Sequence, residues 1–134
     1  MQEEKVLKAN QRFYAALESL DLEAMEAVWL HEDWVKCVHP GWALLEGWEE
    51  IGESWSRIFS NTERMRVVIG NVSVKVENRM AWVCCVEQIT STFERGFDTA
   101  WVQATNMFVE REGTWLMVHH HTSPIPRQEE ETVQ

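Results

Sequence analysis

The second half of the chain confines the fold most sharply. Four strand-length segments, at about 65–77, 80–92, 99–111 and 114–123, are read there from apolar residues that recur with strand periodicity. Asn78-Arg79 and Glu112-Gly113 stand between successive segments as tight turns. Connections so short cannot make a parallel crossover, so antiparallel pairing in a meander is expected. The first half follows helical spacing instead. Val6, Asn10, Phe13 and Leu17, with Leu7 and Tyr14 beside them, predict a helix over about 3–19. Asp21 is placed to cap a short helix carrying Leu22, Met25, Val28 and Trp29. Trp34 to His39 alternates as a strand that stops at Pro40-Gly41. Trp48, Ile51, Trp55 and Ile58 form the stripe of a third helix over about 48–59, in which Gly52 permits close approach. Helices followed by a meander define an α+β fold: a cone-shaped, curved antiparallel sheet with the N-terminal helices packed on its concave face.

Composition narrows what such a fold can do. A chain of 134 residues supports one domain with a real core, expected over residues 1–124, with 125–134 as an acidic, mobile tail carrying Glu129-Glu130-Glu131. The net charge of −10 argues against nucleic acid and acidic membrane surfaces, because both are bound by clustered Lys and Arg. No apolar stretch approaches the roughly 20 residues of a membrane span, and no signal peptide is visible in Met-Gln-Glu-Glu-Lys. Three cysteines, two of them adjacent at Cys84 and Cys85, suit reduced buried thiols and a cytoplasmic protein.

Candidate site residues come from the polar interruptions of this oily pattern. His119-His120-His121 close the apolar run Trp115 to Val118. Regular alternation puts Trp115, Met117, His119 and His121 on one face, expected inward, and His120 on the other. His39 ends the first strand before a rigid turn, where it serves either a pocket or a structural hydrogen bond; a neutral imidazole there can accept a proton. Asn106 lies across a hairpin from the histidines, within reach of a direct bond to one of them. Glu87 ends the run Trp82 to Val86; on the outer face it is an ordinary solvated charge, whereas buried it needs a partner or a raised pKa, and His39 or His119 is the natural partner. Trp34, Trp42, Trp48, Trp55 and Trp101 are available to wall a cavity, with Trp42 as a lid, and Arg95 sits in a strand connection near its mouth. His-x-His on a strand supplies two ligands for zinc, but no acidic or thiolate ligand is placed beside it, so no metal is assigned. Phosphate-loop, serine-nucleophile and Cys-x-x-Cys motifs are absent from the sequence.

From about Ala9 to Pro124 the chain resembles the SnoaL-like branch of the nuclear transport factor 2-like superfamily. The likeness rests on the stretch from Phe13 to Asp21, on His39-Pro40-Gly41-Trp42, and on Leu45 to Ile51 with Trp55. Ala104 to Phe108 and Gly113 to Ser123 complete it. The resemblance implies a cone with a deep cavity, usually in a homodimer formed through the outer sheet face. Relatives of this type include ketosteroid isomerase, polyketide cyclases, dehydratases and the association domain of calcium/calmodulin-dependent protein kinase II, so fold alone will not give function. Against the isomerase, His39 stands where its general-base aspartate precedes a proline. Its oxyanion tyrosine falls at Phe13, and Tyr14 is one residue off, about 100° around an ideal helix. Steroid isomerisation is therefore disfavoured. The expectation is a pocket for a mostly apolar small molecule carrying a carbonyl or carboxylate, contacted by His39, Asn106, His119, His121, Glu87 and Tyr14 inside a tryptophan wall of Trp34, Trp42 and Trp55. If it is catalytic, proton abstraction or addition of water without a cofactor is the expected chemistry, with His39 as base and His119 or Asn106 holding the oxyanion. The rival expectation is a homo-oligomeric association module.

Overall fold

The computed structural model describes residues 1–127. The proposed tail from 128 onward, with Glu129-Glu130-Glu131, lies outside the described residues. Helix α1 (Gln2–Ser19) buries Val6, Ala9, Asn10, Phe13, Tyr14 and Leu17, and stops where Leu20 turns left-handed with φ of 55°. Asp21 then caps α2 (Leu22–Val28) by accepting from the Ala24 amide at 3.2 Å. Short strands β1 (Lys36–Val38) and β2 (Leu45–Glu46) precede α3 (Trp48–Ser60). The meander is β3 (Arg64–Glu77), β4 (Met80–Phe93), β5 (Gly96–Arg111) and β6 (Thr114–Pro124).

All strands join one curved, unclosed sheet in the order β2-β1-β6-β5-β4-β3. The long strands pair antiparallel, as their short connections require. β1 instead runs parallel to β6, because helices intervene between them in the chain, and this makes the sheet mixed. The first strand is shorter than the alternation from Trp34 to His39 suggests, and its small partner β2 has no sequence signal of its own. Glu112 and Gly113 both adopt positive φ, the geometry of a primed hairpin turn, where glycine at the second position relieves the strain. β4 and β5 run on to pair Phe93 with Gly96, leaving Glu94-Arg95 at the tip of a two-residue hairpin.

Two irregularities shape the sheet. β3 shifts register between Gly70 and Ser73, where Asn71 is left-handed at 51°. β6 carries an extra residue: Phe108 faces Met117, but Met107 faces His119, so Val118 has no opposite number. Such bulges bend a strand and reverse the face on which every later side chain stands. Helices α1 and α3 cover the concave face, where Phe13, Ile51 and Trp55 pack with Ala81, Val83, Cys85, Ala104, Phe108 and Met117. Gly52 lets the Trp48 ring lie close against α3: a Cβ there would stand 3.1 Å from that ring, which would have to shift by a few tenths of an ångström.

Candidate functional site

The bulge at Val118 decides which histidine enters the cone. Trp115 and Met117 point inward as expected, but beyond Val118 the inward residues are His120, 2% exposed, and Thr122. His119 is half-buried and His121 exposed on the convex face, their rings 5.7 Å apart. The expected orientation of all three histidines is therefore reversed, because strict alternation does not survive an inserted residue.

Inside, His120 faces Asn106 directly across the strand pair, and its Nδ1 lies 2.6 Å from Asn106 Oδ1. Asn106 Nδ2 donates to Asn10 Oδ1 at 2.9 Å and to the Tyr14 hydroxyl at 3.0 Å. With its amide nitrogen committed as donor, Asn106 Oδ1 must accept, so His120 carries its proton on Nδ1. That leaves His120 Nε2 as an acceptor. Tyr14 donates in turn to Glu87 Oε2 at 2.5 Å, with Cys85 Sγ 3.4 Å from its oxygen. The helical spacing of Tyr14 from Phe13 does not remove its hydroxyl from the interior, since α1 is covered on both sides: Phe13 meets Trp55 and His120, while Tyr14 meets β4 and β5.

Glu87 is 1% exposed and shares inward parity with Ala81, Val83 and Cys85. Burial raises its pKa to about 7, against a smaller lowering by the Tyr14 hydroxyl. Its partner is thus a tyrosine, not His39 or His119. Desolvation also lifts Tyr14 well above the ordinary phenol value, with the Glu87 charge adding to it.

His39 projects inward from the end of β1, and its carbonyl accepts from the Trp42 amide at 2.9 Å to close the Pro40-Gly41 turn. Its Nε2 lies 2.8 Å from Ser54 Oγ, which donates to the Ile51 carbonyl at 2.6 Å. The serine proton being used there, Nε2–H must be the donor to Ser54, and Nδ1 holds the lone pair with only Cys37 Sγ near it at 3.9 Å. Burial lowers the His39 pKa to about 4 and pushes His120 well down, with further lowering of His120 by the neighbouring histidines. Both imidazoles are neutral near pH 7. The Trp55 ring stands edge-on to His39 at 4.5 Å and 6.0 Å from His120.

These groups border a cavity of about 320 Å³. His39, Glu87 and His120 supply its inner polar surface; Trp42, Trp55, Met65, Ile89 and Phe93 supply apolar wall, and Ser91 and Asp98 stand toward one end. Trp55 is buried, yet its Nε1 has no hydrogen-bond partner among the described residues. Trp34, 43% exposed, is not part of this lining; Trp48 stacks on His31 at 4.5 Å, and Trp101 belongs to the convex face opposite Gln88. Asn106 and Tyr14 lie behind the wall, holding His120 and Glu87. Sequence reasoning missed Asn10 and Ser54, which carry no signal beyond being polar residues on the buried stripes of their helices. Among the described residues no three His, Cys, Asp or Glu side chains gather as a metal-binding group.

A helix-covered, bulged sheet enclosing a polar-floored cavity is the architecture of the nuclear transport factor 2-like cone. Residues 6–128 match the SnoaL-like domain, and the chain belongs to that family. It is similar to a proposed dehydratase of the NTF2-like family from Streptomyces avermitilis, with 34% identity, TM-score 0.88, and coverage of 94% of this chain and 97% of that one. A proposed calcium/calmodulin-dependent protein kinase type II association domain from Thiobacillus denitrificans is 31% identical, with TM-score 0.78 over 88% of this chain and 93% of its own. The F-box protein SKIP8 of Arabidopsis thaliana is 30% identical over 88% of this chain, which spans only 48% of that protein's length.

Proposed function

We propose that the cone binds a mostly apolar small molecule carrying a carbonyl group and moves a proton on it without a cofactor, in the manner of a dehydratase or isomerase. The observation that carries this reading is Glu87: a carboxyl with pKa about 7, on the wall of an apolar cavity, fixed by Tyr14. A general base works best when its pKa lies near the operating pH. His39, lowered to about 4, is the weaker base, so Glu87 takes the part that the sequence pattern offered to His39. The Glu87 carboxylate takes a proton from the carbon next to the carbonyl, and the C–H electron pair passes into an enolate. The free Trp55 N–H stabilises charge developing on the enolate oxygen. Returning the proton to another carbon isomerises the molecule; giving it to a departing β-hydroxyl releases water. Asn106 acts through His120 and Tyr14 as a positioning residue. His119, on the convex face, has no part in this step. The similarity to the Streptomyces protein supports the dehydratase direction.

The test needs no natural substrate. In D₂O, 2-acetylnaphthalene should exchange its methyl protons faster with the protein than without it, by proton NMR. The catalysed rate should rise with pH through about 7, where Glu87 ionises, and then level off. A rate equal to the buffer blank, with the ketone shown to be bound, would remove the catalytic reading.

A second reading concerns assembly. The convex face presents Val68 and Trp82, both exposed, with Trp101 and Met107 partly so, and the 31% identical relative is named for association. We infer a homodimer through this face, in a cytoplasmic protein whose three cysteines stay free. Light scattering should give twice 15.7 kDa, and Trp101→Glu should give the monomer mass. A wild-type monomer at tens of micromolar would sink this assignment. No helix among the described residues is long and apolar enough to cross a membrane.

A further inference from the structure

We infer that the cone selects ligands by charge: it takes uncharged carbonyl compounds and rejects free carboxylates of the same shape. This rests on the pocket reading above and adds the class of ligand. No Lys or Arg is among the residues that border the cavity. The nearest candidate from the sequence pattern, Arg95, sits exposed at the β4–β5 hairpin tip outside the lining. The two histidines that do border it offer no positive charge and no free donor. His120 spends its Nδ1 proton on Asn106, and His39 spends its Nε2 proton on Ser54. What both turn elsewhere is a lone pair, which repels an anion.

The remaining charged groups are themselves carboxyls, Glu87 within and Asp98 on β5 opposite Ser91. A buried anion beside them would lose its hydration and find no cation among the lining residues in return. The donors left to the described lining are uncharged: the buried Trp55 N–H, the indole N–H of exposed Trp42 and the Ser91 hydroxyl toward one end. Neutral donors of this kind suffice for a carbonyl oxygen but do not offset the desolvated charge of a carboxylate.

Two congeners on one skeleton test this by calorimetry on the wild-type protein at pH 7.5: 2-acetylnaphthalene and 2-naphthoate. The ketone should bind, with the carboxylate weaker by about tenfold or more, a gap of about 1.4 kcal/mol. Naphthoate binding as tightly as the ketone would overturn charge selection and leave the pocket reading standing. Binding of neither would remove the pocket reading, and this inference with it.

Discussion

Glu87→Gln should make the protein more stable at pH 8 by about 3 kcal/mol while costing it the proposed exchange activity. The carboxyl has a pKa of about 7 in the folded chain against 4.5 for the free group, chiefly because burial penalises its charged form. The folded state thus holds this proton more tightly than the unfolded state does. Stability from that preference is complete below pH 4.5 and is lost as pH rises through 7. The difference of 7 − 4.5 = 2.5 pH units is worth about 3 kcal/mol at 1.36 kcal/mol per unit. Glutamine copies the neutral acid, still accepts from the Tyr14 hydroxyl, and has nothing to ionise. Urea unfolding should show the two proteins within about 1 kcal/mol at pH 5 and diverging to a constant gap above pH 8. His39 and His120 push the other way, since their lowered pKa values remove stability as pH falls below about 6.5. They are the same in both proteins and cancel in the difference. A gap that does not widen between pH 5 and pH 8 would mean that Glu87 is not held as a neutral acid. The base would then have to be sought elsewhere. A residue that weakens the fold at the pH where it works is what a functional carboxyl in an oily cavity should look like.

Much of this was legible in the residues, and where reading failed the cause is local. The meander followed from strand periodicity and two short turns, and the three helices from apolar stripes, because both signals repeat over many residues. Glu87 stayed open between the two faces in the sequence, because every position from Trp82 to Val86 is apolar; in the fold its parity with Ala81, Val83 and Cys85 turns it inward. His120 could not, because a single extra residue at Val118 reverses parity and leaves no mark in the sequence Met-Val-His. The triplet itself concealed the slip: whichever register held, a histidine would face inward. Tyr14 was misjudged for a different reason. Helix angle measures direction from the axis, whereas a long side chain on a helix buried on two sides reaches polar groups well away from its stripe. Trp34, in the turn before β1, and Trp101, on the convex face, show that a tryptophan's apolar bulk does not by itself place it in a cavity wall.

Asn106→Leu should be among the most destabilising single changes in the chain, at about 3 kcal/mol or more. One carboxamide serves three partners in a fully buried position: it accepts from His120 and donates to Asn10 and Tyr14. Leucine fills similar space and satisfies none of them. The His120 Nδ1–H and Asn10 Oδ1 would be left without their partners away from water, at about 1–3 kcal/mol for each such group. For a domain of this size the melting temperature should fall by roughly 10 °C. Loss of packing alone would also lower stability, so the decisive measurement is a double-mutant cycle with His120→Phe. Phenylalanine removes the stranded donor while keeping the ring against Phe13, 4.7 Å away, and Trp55. If the hydrogen bond is the cause, the double variant should be less destabilised than the two single losses added together, by about 1 kcal/mol or more. Additive losses would show that Asn106 and His120 do not act as a unit. The neutral Nδ1–H form of His120, on which its acceptor face toward the cavity depends, would then lose its support.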